Sequence, residues 1–103
     1  MPAFTTRVEL HNASYSDYET LHAAMGRRGF SRLITSDDGV TYQLPTAEYD
    51  CSGNLTTQLV LDAAKAAAAE TGKTFAVLVT EAPRRMWRGL AQVQSRANVP
   101  SFR

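Results

Sequence analysis

Two histidines, His11 and His22, are the residues of this chain best suited to move a proton at neutral pH. RNA cleavage through the 2′-hydroxyl needs a base, an acid and a cation at the phosphate, and arginine holds phosphate in a fork. Residue alternation predicts that Arg7 and His11 share one face of a strand, whereas His22 lies on a helix across the sheet. These three residues are the catalytic candidates. The competing interpretation is a solvated strand-end histidine and a helix-flank histidine.

Two adjacent carboxylates, Asp37 and Asp38, could instead bind a metal ion, because paired carboxylates suit Mg²⁺. They also directly precede Gly39, and this pattern is typical of a hairpin turn. The sequence has no His/Cys spacing typical of zinc and no phosphate-binding glycine loop. We therefore expect no metal and no cofactor. Cys51 has no flanking cation, which favours a half-buried strand residue over a nucleophile.

Positive charge is concentrated at the end of the chain. Residues 1–81 carry six Lys/Arg and ten Asp/Glu, whereas residues 82–103 carry five Arg and no acid. Arg84, Arg85 and Arg88 surround Trp87, a mixture of charge and stacking surface that could contact single-stranded RNA. The alternative is a solvated tail that docks through Trp87. We predict a folded domain over 1–81 and an arginine-rich tail over 82–103, disordered from Gln92 onward.

Composition limits the remaining possibilities. The 103 residues fit one domain, and a net charge of +1 gives no overall sign for a nucleic-acid or membrane partner. A single cysteine excludes an intrachain disulfide. No leader pattern follows Met1, and the apolar runs are far shorter than the ~20 residues that cross a bilayer. We expect a cytoplasmic protein with no membrane or DNA partner.

The hydrophobic periods predict the order β-α-β-β-α-β. The first helix follows a cap at Ser14 or Ser16, with a possible capping box from Ser16 to Glu19, and ends at Gly29. Asn54 is the predicted cap of the second helix. The predicted strands cover 3–11, 30–35, 40–44 and 74–80. The alternation of the third strand continues past Pro45 to about residue 50. The second helix covers 55–71.

This order predicts an α+β, ferredoxin-like sandwich: a four-stranded antiparallel sheet with two helices on one face. The other face would expose Arg7, Glu9 and His11. The last strand is apolar on both sides, and an open sheet has free edges, so we also predict a homodimer.

The chain resembles the GhoS-like antitoxin family of type V toxin–antitoxin systems, formerly known only as a domain of unknown function. The resemblance runs from about Phe4 to Glu81. It rests on Ser14-Tyr15-Ser16 with Leu21 and Met25, then Phe30-Ser31, Leu33-Ile34, Asp38-Gly39 and Gln43-Leu44.

The resemblance implies a ferredoxin-like fold similar to CRISPR-associated endoribonucleases, and cleavage of the messenger RNA of a small membrane toxin. Family cleavage depends on a basic residue in the first helix, where this chain has His22. Arg27 and Arg28 lie in the last turn of the same helix and are candidate RNA-binding cations, together with the three arginines around Trp87. The alternatives are a non-catalytic dimeric ferredoxin-like module that binds a protein or RNA partner, and a small-ligand sensor that uses the open sheet face.

Overall fold

The computed structural model describes residues 1–93. It is a small α+β protein with two helices and antiparallel sheets. The elements in chain order are β1 (Ala3–Leu10), α1 (Tyr15–Arg27), β2 (Leu33–Thr35), β3 (Thr41–Gln43), β4 (Glu48–Ser52), α2 (Thr57–Ala69) and β5 (Phe75–Glu81).

The strands form two sheets and not the predicted single sheet of four. One is three-stranded with the order β4-β1-β5, and the other is the β2-β3 hairpin. The predicted long third strand is divided into β3 and β4, because Pro45 lacks a backbone N–H and Ala47 adopts a left-handed φ of 65°. The two sheets touch at one bridge, where Ser31 and Asp50 exchange backbone hydrogen bonds of 2.8 and 2.7 Å.

The two helices begin at caps that differ from some of the predicted ones. Ser14 is the N-cap of α1: its hydroxyl accepts from the Asp17 amide at 3.3 Å, and the Asp17 carboxylate accepts from the Ser14 amide at 2.8 Å. The capping box is therefore Ser14 with Asp17 and not Ser16 with Glu19. Thr56 caps α2 in place of Asn54, because the Leu55 amide bonds back to Gly53 and delays the helix.

Both helices contribute to one core on a single face of the three-stranded sheet. The inward residues of β1 alternate as predicted, with Phe4, Val8 and Leu10 buried. The buried side chains of α1 and α2 pack against these residues. Phe30, which precedes β2, and Tyr49 of β4 belong to the same core. The small alanines of α2 let this helix approach the sheet closely.

Residues 82–93, here called the C-terminal segment, lie on the face of the sheet opposite the helices. Arg85 bonds Thr5 of β1 at 3.2 Å and Asp50 of β4 at 2.7 Å. Backbone hydrogen bonds of 2.9 and 2.8 Å then join residues 91 and 93 to β3. Gln92 and Val93, the first two residues of the predicted disordered stretch, therefore lie in a segment that pairs with β3. The rest of that stretch, residues 94–103, lies outside the described part of the chain.

Candidate functional site

His22 and Tyr49 form the most closely coupled pair of chemically versatile side chains. Nδ1 of His22 lies 2.7 Å from the Tyr49 hydroxyl, although the residues are 27 positions apart. Tyr49 belongs to β4 and is fully buried, with its ring edge packed on Phe30 at a centroid distance of 6.4 Å. His22 is half-buried on the flank of α1. The core therefore fixes the tyrosine, and the tyrosine orients the imidazole.

Burial controls the protonation of both side chains. It raises the pKa of the Tyr49 phenol well above its ordinary value, so the hydroxyl remains protonated. Burial, followed by the positive charge of Arg32, lowers the pKa of His22, while Glu19 opposes this shift. The imidazole is therefore neutral at pH 7, which is the state that can act as a base.

The hydrogen bond to Tyr49 occupies Nδ1 of His22 and leaves Nε2 as the ring nitrogen without a hydrogen-bond partner among residues 1–93. When Nδ1–H donates to the phenol oxygen, Nε2 carries a lone pair and can accept a proton. When the phenol donates to Nδ1, Nε2 carries the proton and can donate a hydrogen bond. A tyrosine hydroxyl both donates and accepts, so it satisfies either arrangement, and the pair can serve both parts of a proton transfer.

Arg32 completes this cluster, which we call the His22 site and define as His22, Tyr49 and Arg32. Arg32 is half-exposed, and its positive charge adds to the lowering of the His22 pKa by burial. On the pKa of Tyr49 the same charge acts in the opposite direction to burial, which has the larger effect. Its carbonyl accepts from the Leu44 amide at 2.8 Å, which ties this part of the chain to the end of β3. A neutral imidazole within electrostatic range of a permanent cation can bind a phosphodiester and exchange a proton with it.

The structure places the other two catalytic candidates elsewhere. His11 lies at the end of β1, where Nδ1 is 3.2 Å from the Thr74 hydroxyl and Nε2 is 3.5 Å from a Glu9 carboxylate oxygen. Arg7 is exposed on the open face of β1, since it alternates with the inward residues. These two residues share a side of the sheet, as predicted, and the His22 site belongs to the helix side.

The predicted RNA-binding arginines fall into two groups. Arg27 and Arg28 each bond a different oxygen of Glu70 at 2.7 Å, which clamps the ends of the two helices together. The hydrogen bond from Arg28 is the main reason that the pKa of Glu70 is lowered. These cations therefore have a structural partner within the domain.

In the C-terminal segment, Arg85 is likewise paired, with Asp50. Arg84 and Arg88 are exposed and form no ion pair within residues 1–93. Trp87 packs its ring edge-on against Tyr42, with centroids 5.5 Å apart and planes at 67°. The docking of the tail through Trp87 is thus present, and two arginines remain available beside it.

A cleft of about 600 Å³ lies between the C-terminal segment and the β2-β3 hairpin. Its wall includes Trp87 and Arg85 of the C-terminal segment, and Tyr42, Asp37 and Asp38 of the hairpin. Its volume is in the range of ligand pockets, and its aromatic rings could stack a planar group.

The turn interpretation of the two aspartates agrees with the geometry. The Asp38 carboxylate accepts from the Ser36 hydroxyl and from the Val40 amide, and Gly39 has a φ of 87°. The Ser36 hydrogen bond is the main reason that the pKa of Asp38 is lowered. Among residues 1–93, no group of three or more His, Cys, Asp or Glu side chains comes together as a metal site.

Cys51 is half-buried in β4, as predicted. Burial, with a smaller contribution from Asp50, raises the pKa of its thiol. The protonated thiol is a poor nucleophile.

Arg32 and Tyr49 are the site residues that sequence reasoning missed. Both were assigned only to strand alternation, and no local pattern links either residue to His22. The contact depends on how α1 crosses the sheet, which is a tertiary property.

Comparison with protein families and with curated proteins finds no match to this chain. Within the described residues, no helix combines the length and apolar character needed to span a membrane.

Proposed function

We propose that this protein is an endoribonuclease-type antitoxin of the GhoS-like kind, which cleaves a toxin messenger RNA in the cytoplasm at the His22 site. The observation that carries the proposal is the 2.7 Å contact between His22 Nδ1 and the Tyr49 hydroxyl. It holds a neutral imidazole at the place in the first helix where the family resemblance requires a basic residue.

We infer a ferredoxin-like fold whose third strand is broken. The bridge between Ser31 and Asp50 places the start of the β2 hairpin beside β4. Continuing the three-stranded sheet through this bridge gives the order β5-β1-β4-β2, which is the antiparallel arrangement expected of a ferredoxin-like sandwich. Both helices then cover one face, in agreement with the single shared core.

The proposed reaction uses the RNA's own 2′-hydroxyl. Nε2 of His22 accepts the 2′-hydroxyl proton while Nδ1–H donates to Tyr49, and the 2′-oxygen attacks the adjacent phosphorus. The 5′-oxygen leaves and takes a proton from solvent or from the imidazolium, which gives a 2′,3′-cyclic phosphate. Arg32 stabilises the negative charge that develops on the phosphoryl oxygens.

Purified protein incubated with a labelled single-stranded RNA tests the proposal. We expect cleavage, a 2′,3′-cyclic phosphate at the new end, and no effect of a chelator, because this route uses no metal ion. The control is the same sequence with 2′-deoxy residues throughout, which should remain intact. Cleavage of the deoxy strand, or abolition of cleavage by chelator, would contradict the mechanism and favour metal-assisted hydrolysis.

RNA binding without cleavage is the second candidate function, and one observation favours it. The cleft beside the C-terminal segment offers the Trp87 and Tyr42 rings. The exposed Arg84 and Arg88 are sequence neighbours of residues that line it. Aromatic stacking with flanking cations suits single-stranded RNA.

Binding of fluorescent RNA at two salt concentrations tests this function separately from cleavage. The affinity should fall as salt rises, because each neutralised phosphate releases counterions. The single variants Arg84→Ala and Arg88→Ala should each bind more weakly, whereas Lys65→Ala on α2 is the matched loss of one surface charge. Equal effects of the arginine and lysine changes would mean that the cleft plays no specific part.

A further inference from the structure

The outer edge of β5 has no strand partner within residues 1–93, since the three-stranded sheet ends there. The His11 amide donates to the Thr74 carbonyl at 2.9 Å, and the Ala82 amide donates to the Ala3 carbonyl at 2.8 Å. Even-numbered residues of this stretch therefore direct their backbone groups toward β1. The odd-numbered residues of β5, from Phe75 to Glu81, direct their N–H and C=O groups outward.

The centre of this edge has none of the features that normally prevent strand association. Residues 75–80 of β5 read FAVLVT, without a charge or a proline, although natural edge strands usually carry Lys, Pro or a bulge. The charges lie at the ends of the edge, at Glu81 within β5 and at Lys73 before it. Leu78 is 64% exposed on the open face. Val77 and Val79, on the helix side, are only half-buried.

We propose that this edge is a homodimer interface, in which β5 pairs antiparallel with β5 of a second copy about a two-fold axis at Leu78. Val77 then lies opposite Val79 of the second copy, and Phe75 lies opposite Glu81. All outward backbone groups of the seven-residue strand gain a partner. The two sheets join into one continuous sheet with all four helices on the same side.

The register is self-complementary. Leu78 faces its own counterpart in a non-hydrogen-bonded pair, the position where cross-strand side chains approach most closely. Glu81 lies diagonal to Lys73 of the second copy, so opposite charges approach each other at both ends of the interface. The Lys73 ammonium also lies 3.7 Å from an Asp17 carboxylate oxygen of its own copy, and the two carboxylates would share it. A shift of one residue would place inward and outward side chains opposite each other, which disfavours that alternative.

The inference goes beyond RNA cleavage and does not depend on it, because it is tested without RNA. Sedimentation at micromolar concentration should show a species of twice the 11.3 kDa chain mass. Leu78→Lys places two positive charges face to face at the axis and should weaken the dimer at least ~tenfold. Position 78 is exposed, so the monomer should remain folded by circular dichroism. A monomer in the unchanged protein, or a dimer that Leu78→Lys leaves intact, overturns the proposal.

Disulfide trapping tests the register itself. In a Cys51→Ala background, which has no other cysteine, Leu78→Cys should cross-link rapidly on mild oxidation, because directly opposed residues have Cα separations that a disulfide can span. Ala76→Cys is the matched control on the same face, and it should stay unlinked because residue 76 lies opposite residue 80. Faster linking at 76 than at 78, or no linking at 78, contradicts the proposed axis.

Discussion

The guanidinium of Arg85 lies 2.7 Å from the Asp50 carboxylate and 3.2 Å from the Thr5 hydroxyl, which joins the C-terminal segment to the centre of the sheet. Thr5 and Asp50 are direct cross-strand neighbours. The pair is about three-quarters buried on each side, with side-chain exposures of 23% and 24%. This contact makes residues 82–93 part of the folded unit.

Arg85→Ala should lower the free energy of unfolding by about 1 kcal/mol or more, because it leaves a largely buried carboxylate without its main hydrogen-bond donor. Arg84→Ala, one position away and exposed, should change it by less than about 0.5 kcal/mol. Urea denaturation of both variants provides the measurement. Equal urea midpoints for the two variants would show that the stability of the fold does not depend on the ion pair between Arg85 and Asp50.

Two glycines should respond in opposite directions to the same substitution. Gly39 has a φ of 87° and open space where a Cβ atom would lie, so Gly39→Ala should destabilise by about 1 kcal/mol through backbone strain alone. Gly26 lies in α1 without positive φ and with equal space, so Gly26→Ala should stabilise by about 0.5 kcal/mol. Thermal unfolding of the two variants decides this, and a shift of the same sign in both would contradict the assigned turn.

The stability of the protein should decrease below about pH 6.5, the ordinary pKa of histidine. His22 has a lowered pKa in the folded state, so the unfolded chain binds more protons in this window and acid favours unfolding. His22→Gln should reduce the pH dependence of the unfolding free energy between about pH 5 and 7. An unchanged pH dependence in His22→Gln would mean that His22 is not desolvated.

Local sequence was enough to predict the helices, the β1 alternation and the turn at Gly39. Each depends on neighbours within a few residues: Gly39 needs positive φ, and Phe4, Val8 and Leu10 repeat with period two. The break between β3 and β4 was only half visible. Pro45 indicated an interruption, but nothing in the sequence marks Ala47 as a residue with left-handed φ.

The candidate site was less predictable, because its contacts are long-range. His22 was identified from its chemistry alone, whereas Tyr49 looked like an ordinary strand residue and Arg32 like part of an alternating pattern. Arg85 looked like one of three equivalent tail cations until the fold placed it against Asp50, 35 positions away. Packing decided which charged side chains are paired and which remain available.

The most direct test of the central claim is the single-turnover rate of RNA cleavage by His22→Ala. Loss of the general base should reduce the rate by about 10²- to 10⁴-fold, while Tyr49→Phe should reduce it less, since it removes only the hydroxyl that orients the imidazole. His11→Ala, on the other side of the sheet, should retain the rate of the unchanged protein. Full activity in His22→Ala, or a loss in His11→Ala of the same size, would contradict the assignment of the reaction to the His22 site.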